Sequence, residues 1–248
     1  MTVHFIGAGP GAADLLTVRA VELLRASPVC LYPGTYLDPA VLAHCAPDAE
    51  LVDTQRLDLD AIVATMSAAH DRGSDVARLC SGDPSVYSAL TEQARRLDRL
   101  GIPWDVTPGV PAYAAAAAAL GAELTVPELA QSVVLTRAQA RSTAMPEKER
   151  LRSFAATGAT LALHLAITRT RELAAELATE YGPDCPAAVV YRASQPDQLI
   201  LRGTLTDIAT RVEEAGLRQA AVILVGRALA PAVECVQSHL YDPARTRL

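Results

Sequence analysis

VHFIGAGPGA, residues 3–12, is the stretch on which the fold turns. Val3 to Ile6, apolar except for His4, is of strand length, and a turn rich in glycine, Gly7 to Ala12, follows it. From Asp14 to Arg25 the chain then takes on a helical pattern, with Leu15, Leu16, Val18, Val21, Leu23 and Leu24 on one broad apolar face. A strand that ends in a glycine turn and runs into a helix is the opening unit of an α/β sheet.

The same alternation continues outward. Strands are predicted at Val29–Tyr32, Val76–Leu79 and Trp104–Val106, with helices at Leu59–Asp71, Ser88–Leu100 and along the alanine-rich run after Pro111. Beyond Gln131 the pattern changes. Strand-like runs fall at Val133–Thr136, Thr160–Leu165, Ala187–Tyr191, Leu199–Leu201 and Ala221–Val225, with helical patterns at Arg169–Tyr181 and Leu205–Ala215. AAVVYRASQPDQLILRG reads as a hairpin, which implies a mixed sheet. The expectation is an α/β protein of two domains, residues 1–125 with a mostly parallel sheet and residues 126–248 with a mixed one.

Composition narrows the function. The 248 residues are half hydrophobic and one fifth charged, which is a globular balance. A net charge of -6 argues against a nucleic-acid partner held on a broad basic face. Cys30, Cys45, Cys80, Cys185 and Cys235 are odd in number and have no CxxC spacing, so reduced thiols in a cytoplasmic protein are expected rather than a disulfide framework or zinc site. His4, His44, His70, His164 and His239 are scattered without metal-ligand spacing, and no metal is expected. No apolar run reaches the roughly 18 residues of a membrane span.

Three turns at strand ends could carry chemistry. Gly7-Ala8-Gly9-Pro10-Gly11-Ala12 fits the dinucleotide fingerprint G-x-G-x-x-G/A. Two features oppose that reading: Pro10 removes a backbone N–H from the cradle, and no acid follows for a ribose where strand two ends in Cys30-Leu31-Tyr32-Pro33. A tight turn without a ligand remains open. Ser81-Gly82-Asp83-Pro84-Ser85-Val86 presents one carboxylate at a strand end, or is an ordinary turn with Asp83 capping the next helix. Thr107-Pro108-Gly109-Val110-Pro111-Ala112 is the third, and its alanine run suits either a flat ligand or close core packing. No nucleophile–base constellation is present. That fits a reaction in which a cofactor supplies the reactivity and the protein supplies position.

Taken together, G-x-G-P-G, then S/G-G-D-P, then T-P-G-V/I resemble the tetrapyrrole methylases. VARLCSGDPSVYSAL, IPWDVTPGVPAYAAAAAALG, LAQSVVLTRAQ with AMPE soon after, and DCPAAVVYRASQPDQ extend the resemblance over essentially the whole chain, most closely to corrin-pathway members. The resemblance implies a homodimeric enzyme that transfers a methyl group from S-adenosylmethionine to a tetrapyrrole carbon, leaving S-adenosylhomocysteine, with the cofactor in a cleft between domains. Carried over by motif, the cofactor residues are Pro10, Ser81, Gly82, Asp83, Val86, Pro111 and Ala112. From the second domain come Leu165, where the family often has methionine in T-L-x-x-x-M, Ala193, where others have glycine, and Ala221. The tetrapyrrole carries many carboxylates, and arginine binds carboxylates bidentately. Arg78, Arg137, Arg141 and Arg192 are the candidates by nearness to motifs, and Gly9 and Gly11 are read as places where a side chain would meet ligand or force an unfavourable φ. Neither a nucleic acid nor a membrane is implied as a partner. An RNA-methylating member of the family is disfavoured by the acidic balance.

Overall fold

The computed structural model of the chain describes residues 1–34, 37–138 and 144–230. Two compact units form, one from Met1–Ala115 with Ser194–Pro196, the other from Ala116–Ala193 with the chain from Asp197 onward. The division falls ten residues earlier than 125/126, within a helix, and a short segment of the second half belongs to the first unit.

Unit one contains β1 (Val3–Gly7), α1 (Val18–Ala26), β2 (Val29–Tyr32), α2 (Pro39–Leu42), β3 (Glu50–Asp53), α3 (Leu59–Asp71), β4 (Val76–Cys80), α4 (Leu90–Arg99) and β5 (Trp104–Thr107). The helix α5 (Ala112–Leu120) begins in it. All five strands are parallel, in the order β3-β2-β4-β1-β5. β4 is buried along its whole length, as a parallel strand covered on both faces should be. Successive side chains of a strand point to opposite faces. Val3, Phe5, Leu31 and Val76 therefore share a core with Ile62, Val63 and Met66 of α3 and Leu97 of α4. Ile6, Cys30, Ala77 and Leu79 share another with Ala20 and Leu24 of α1 and Val41 of α2.

The strand order fixes where a ligand can enter this unit. β1 connects to β2 across β4, whereas β4 connects to β5 across β1. Neighbouring β1 and β4 thus send their outgoing connections in opposite directions, which opens a crevice above their carboxyl ends.

Unit two contains β6 (Val133–Arg137), α6 (Leu151–Ala155), β7 (Thr160–His164), α7 (Thr170–Tyr181), β8 (Pro186–Tyr191), β9 (Leu199–Thr204), α8 (Ile208–Glu214) and β10 (Ala221–Val225). Its sheet runs β6-β7-β10-β8-β9. β6 and β7 are parallel, and the remaining pairs are antiparallel, β8 and β9 forming the expected hairpin. Leu161, Leu163, Val189 and Ile223 of the sheet pack with Leu173 and Leu177 of α7 and Ile208 of α8.

Three local differences from the sequence reading have physical causes. The pattern over Asp14–Arg25 breaks into a 3-10 turn at Ala13–Leu15 and α1 from Val18, because Thr17 takes an extended conformation and its hydroxyl caps the Ala20 amide at 3.1 Å. α4 starts at Leu90 rather than Ser88, since Tyr87 and Ala89 hold left-handed φ values of 53° and 56°. β3 shows no apolar run because it is an edge strand with three of its four residues exposed.

Candidate cofactor-binding site

β4, β1 and β5 are adjacent, so parallel register brings the three turns to one edge of the first sheet. Gly9 and Gly82 pair as a two-residue antiparallel bridge, Gly9 N donating to Gly82 O at 3.1 Å and Gly82 N to Gly9 O at 2.8 Å. Gly7 and Gly109 lie closer than any side chain would allow. A Cβ on Gly7 would stand 2.4 Å from Gly109 N, and one on Gly109 would stand 2.4 Å from Gly82 O. Next to them, the space beside Gly82 is bounded by Pro111 and Ala112, each with an atom 3.6 Å from where its Cβ would be.

Asp83 joins the second turn to the third. One oxygen accepts from Gly109 N at 2.9 Å, and the other accepts from Ser85 N at 2.8 Å and from the Ser85 hydroxyl. Burial pushes its carboxyl up, but these hydrogen bonds outweigh burial and hold it below the usual carboxylate range. Asp83 caps its own turn rather than α4, whose first residue lies seven positions on. Pro10, Ser81, Gly82, Asp83, Val86, Pro111 and Ala112 all fall at this edge, with Pro10 and Gly82 buried and Ser81 exposed.

The turns are poorly equipped to cradle a pyrophosphate. Ala8 N is taken by Cys80 O at 2.8 Å, Gly9 N by Gly82 O, and Ala12 N by Ser194 Oγ at 3.1 Å, while Pro10 has no N–H. α1, whose N-terminus a dinucleotide fold would aim at the phosphates, begins only at Val18. This arrangement weakens the dinucleotide reading of Gly7–Ala12.

In unit two, register gathers another set. β10 is antiparallel to both β7 and β8, so the ends of β7 and β8 and the start of β10 share one edge of the second sheet. Leu165 follows β7, Ala193 follows β8, and Ala221 opens β10 opposite Tyr191. Leu165 combines a left-handed φ of 52° with 65% exposure, a costly pairing for a large apolar residue. Arg137 ends β6 opposite His164 at the same edge. Burial lowers the pKa of His164, which sequence reading had left unassigned.

The arginine candidates separate. Arg78 lies inside unit one at 7% exposure, donating to Gln93 Oε1 at 2.9 Å and to Thr54 Oγ1 and Leu79 O at 3.2 Å each. Burial lowers its pKa, and the acceptors that hold it are neutral. Arg192 is engaged by Asp197 at 2.7 Å. Arg137 lines a cavity of 610 Å³ within unit two, together with Arg150, Leu163 and Arg169. Arg141 lies outside the described residues, as do Cys235 and His239. Among the described residues no group of His, Cys, Asp and Glu could hold a metal ion, and no helix is long and apolar enough to cross a membrane.

The sequence pattern of the Tetrapyrrole (Corrin/Porphyrin) Methylases matches residues 2–209. A precorrin-4 C(11)-methyltransferase of Rhodococcus erythropolis is 56% identical over 247 residues, covering 100% of this chain and 99% of that protein. The X-ray structure of a cobalamin biosynthetic enzyme, cobalt precorrin-4 methyltransferase CbiF, superposes with a TM-score of 0.90 at 39% identity, covering 93% of this chain and 96% of that one. Uroporphyrin-III C-methyl transferase from Thermus thermophilus, complexed with S-adenyl homocysteine, gives a TM-score of 0.76 at 31% identity over 92% of this chain and 93% of that one. With its joined glycine turns and a match along most of its length, the chain belongs to the tetrapyrrole methylases.

Proposed function

We propose that the protein transfers the methyl group of S-adenosylmethionine to C11 of precorrin-4, or of its cobalt form, giving the corresponding precorrin-5 in cobalamin biosynthesis. The observation that carries this reading is the joined edge of unit one, where Gly9, Gly82, Asp83 and Gly109 lock three turns together and engage the amides of Gly9, Gly82 and Gly109. It occurs in a chain whose relative of 56% identity bears the name of that activity. Bound there, the cofactor supplies a methyl group on a positive sulfonium, an electrophile ready for attack by an electron-rich ring carbon.

The protein's own part is position and environment. Pro10, Gly82, Val86, Pro111 and Ala112 offer an apolar surface for the cofactor, and Asp83 and Ser81 supply its polar anchors. By resemblance to the family, Leu165, Ala193 and Ala221 are further cofactor positions, all small or apolar. Leucine where the family often has methionine keeps the apolar contact and loses a sulfur. An apolar setting favours a step in which sulfonium charge is neutralised. The resemblance further supports a homodimer acting in the cytoplasm on a small tetrapyrrole.

Calorimetry checks the cofactor half: S-adenosylhomocysteine binds the protein and NAD does not. Binding of NAD alone contradicts it. Arg137 tests the substrate half. It stands at a strand end shared with Leu165 and Ala221, and we assign it to a substrate carboxylate. Arg137→Ala is expected to raise the tetrapyrrole KM about tenfold while kcat changes less, the mark of lost uniform binding. Wild-type kinetics in this variant remove the assignment.

A further inference from the structure

The first glycine turn has few means of holding its own shape. Gly9 adopts a φ of +71° and Gly11 a φ of +155°, both costly for other residues, and glycine is the residue with the most backbone freedom to lose. Pro10 between them has no N–H to donate. The Gly82 bridge holds the turn at Gly9, and what fixes its far half, Pro10 to Ala12, comes from 182 residues away. Residues Ser194–Pro196, in the connection between β8 and β9, belong to unit one. Ser194 Oγ accepts from Ala12 N at 3.1 Å, and Gln195 Nε2 donates to Pro10 O at 3.2 Å. These two backbone groups flank Gly11.

Packing reinforces the hydrogen bonds. Gln195 is 8% exposed, and a Cβ on Gly11 would stand 2.2 Å from its Cγ and 2.7 Å from its Cδ and Nε2. The absence of a side chain at Gly11 is thus explained by Gln195 lying against it. The clamp carries strain of its own, since Arg192 and Ser194 hold left-handed φ values of 44° and 67°. Such strain persists where the surroundings over-determine it and collects at functional sites.

We infer that Gln195, with Ser194, is a positioning residue that pre-organises the Gly9–Ala12 turn for the cofactor. This rests on the cofactor reading above. Preorganisation gives affinity by removing ordering cost at the moment of binding. Gln195→Ala is expected to fold and to weaken S-adenosylhomocysteine binding on the order of tenfold, the weight of one buried hydrogen bond. Gln195→Glu keeps the size of the side chain and sets the outcome by protonation. Its carboxylate cannot donate to Pro10 O, so affinity is low at pH 8. Its protonated acid can donate, so affinity recovers as the pH falls through the raised pKa of a buried glutamate.

The experiment is calorimetric titration of S-adenosylhomocysteine into wild type, Gln195→Ala, Gln195→Glu and Ser194→Ala between pH 5 and pH 8, on variants shown folded by circular dichroism. The expected pattern is weak binding in Gln195→Ala at every pH, weak binding in Gln195→Glu that recovers in acid, and an intermediate loss in Ser194→Ala. Wild-type affinity in folded Gln195→Ala overturns the inference. Wild-type affinity in Gln195→Glu at pH 8 also overturns it, by showing that packing alone matters and the donated hydrogen bond does not. If wild type itself fails to bind S-adenosylhomocysteine, the cofactor reading falls and takes this inference with it.

Discussion

Gly109→Ala is expected to destabilise unit one by about 3 kcal/mol, the upper end of ordinary overpacking, and to reduce turnover more than a hundredfold. The added methyl would stand 2.4 Å from Gly82 O and 2.8 Å from the C and Cα atoms of Gly7. All of these are backbone atoms of two other turns, so relief requires the turns to separate rather than a side chain to change rotamer. Separation undoes the arrangement that presents the second turn. Gly73→Ala is the control. Gly73 also has a left-handed φ, of +72°, but a Cβ there meets nothing within 4 Å, so its cost is limited to the backbone term of about 1–2 kcal/mol. Urea denaturation and cofactor-saturated turnover of both variants check the difference. A Gly109→Ala midpoint equal to or above that of Gly73→Ala contradicts the packing described.

Asp83→Ala is expected to have the second largest effect. Its removal leaves Gly109 N without its acceptor and frees Ser85, and it takes away the proposed polar anchor of the cofactor. S-adenosylhomocysteine binding should weaken by about 1.5–3 kcal/mol, the range for a lost charge-assisted hydrogen bond. The pH dependence has a definite sign. The folded carboxyl titrates below its ordinary value, so its contribution to stability is present above about pH 4 and is lost as pH falls through the folded pKa. Asp83→Asn, which cannot titrate, should therefore differ most from wild type near neutrality and converge with it in acid. Parallel stability curves for the two proteins from pH 7 down to pH 2 would show that Asp83 contributes nothing through its charge.

Local chemistry was legible where it was written locally. The strand Val3–Gly7, the helix Leu59–Asp71 and the hairpin built from β8 and β9 each announce themselves by periodicity or turn residues within one short window. The three glycine turns could be recognised as turns for the same reason. The strand order that joins them, with β4 inserted between β2 and β1, could not be read, because no local pattern encodes it. Gln195 was invisible as a clamp since its partner lies 185 residues away and glutamine carries no turn or strand signature. At Gly11, read as a place where a side chain would meet ligand or force an unfavourable φ, the φ of +155° fits the second reason, and Gln195 occupies the space given to a ligand in the first. Arg78 illustrates the opposite hazard. Nearness to the second turn made it a candidate for a substrate carboxylate, yet its acceptors are Gln93, Thr54 and a backbone carbonyl.

The most direct test of the proposed activity is the position of the transferred methyl group. Purified protein is incubated with precorrin-4 and S-adenosylmethionine carrying a carbon-13 methyl, and the product is examined by carbon-13 NMR. The expected result is one new labelled methyl, coupled to C11 of the macrocycle, together with S-adenosylhomocysteine in equal amount. Label at any other ring carbon, or no transfer to the macrocycle by a protein that binds the cofactor, contradicts it.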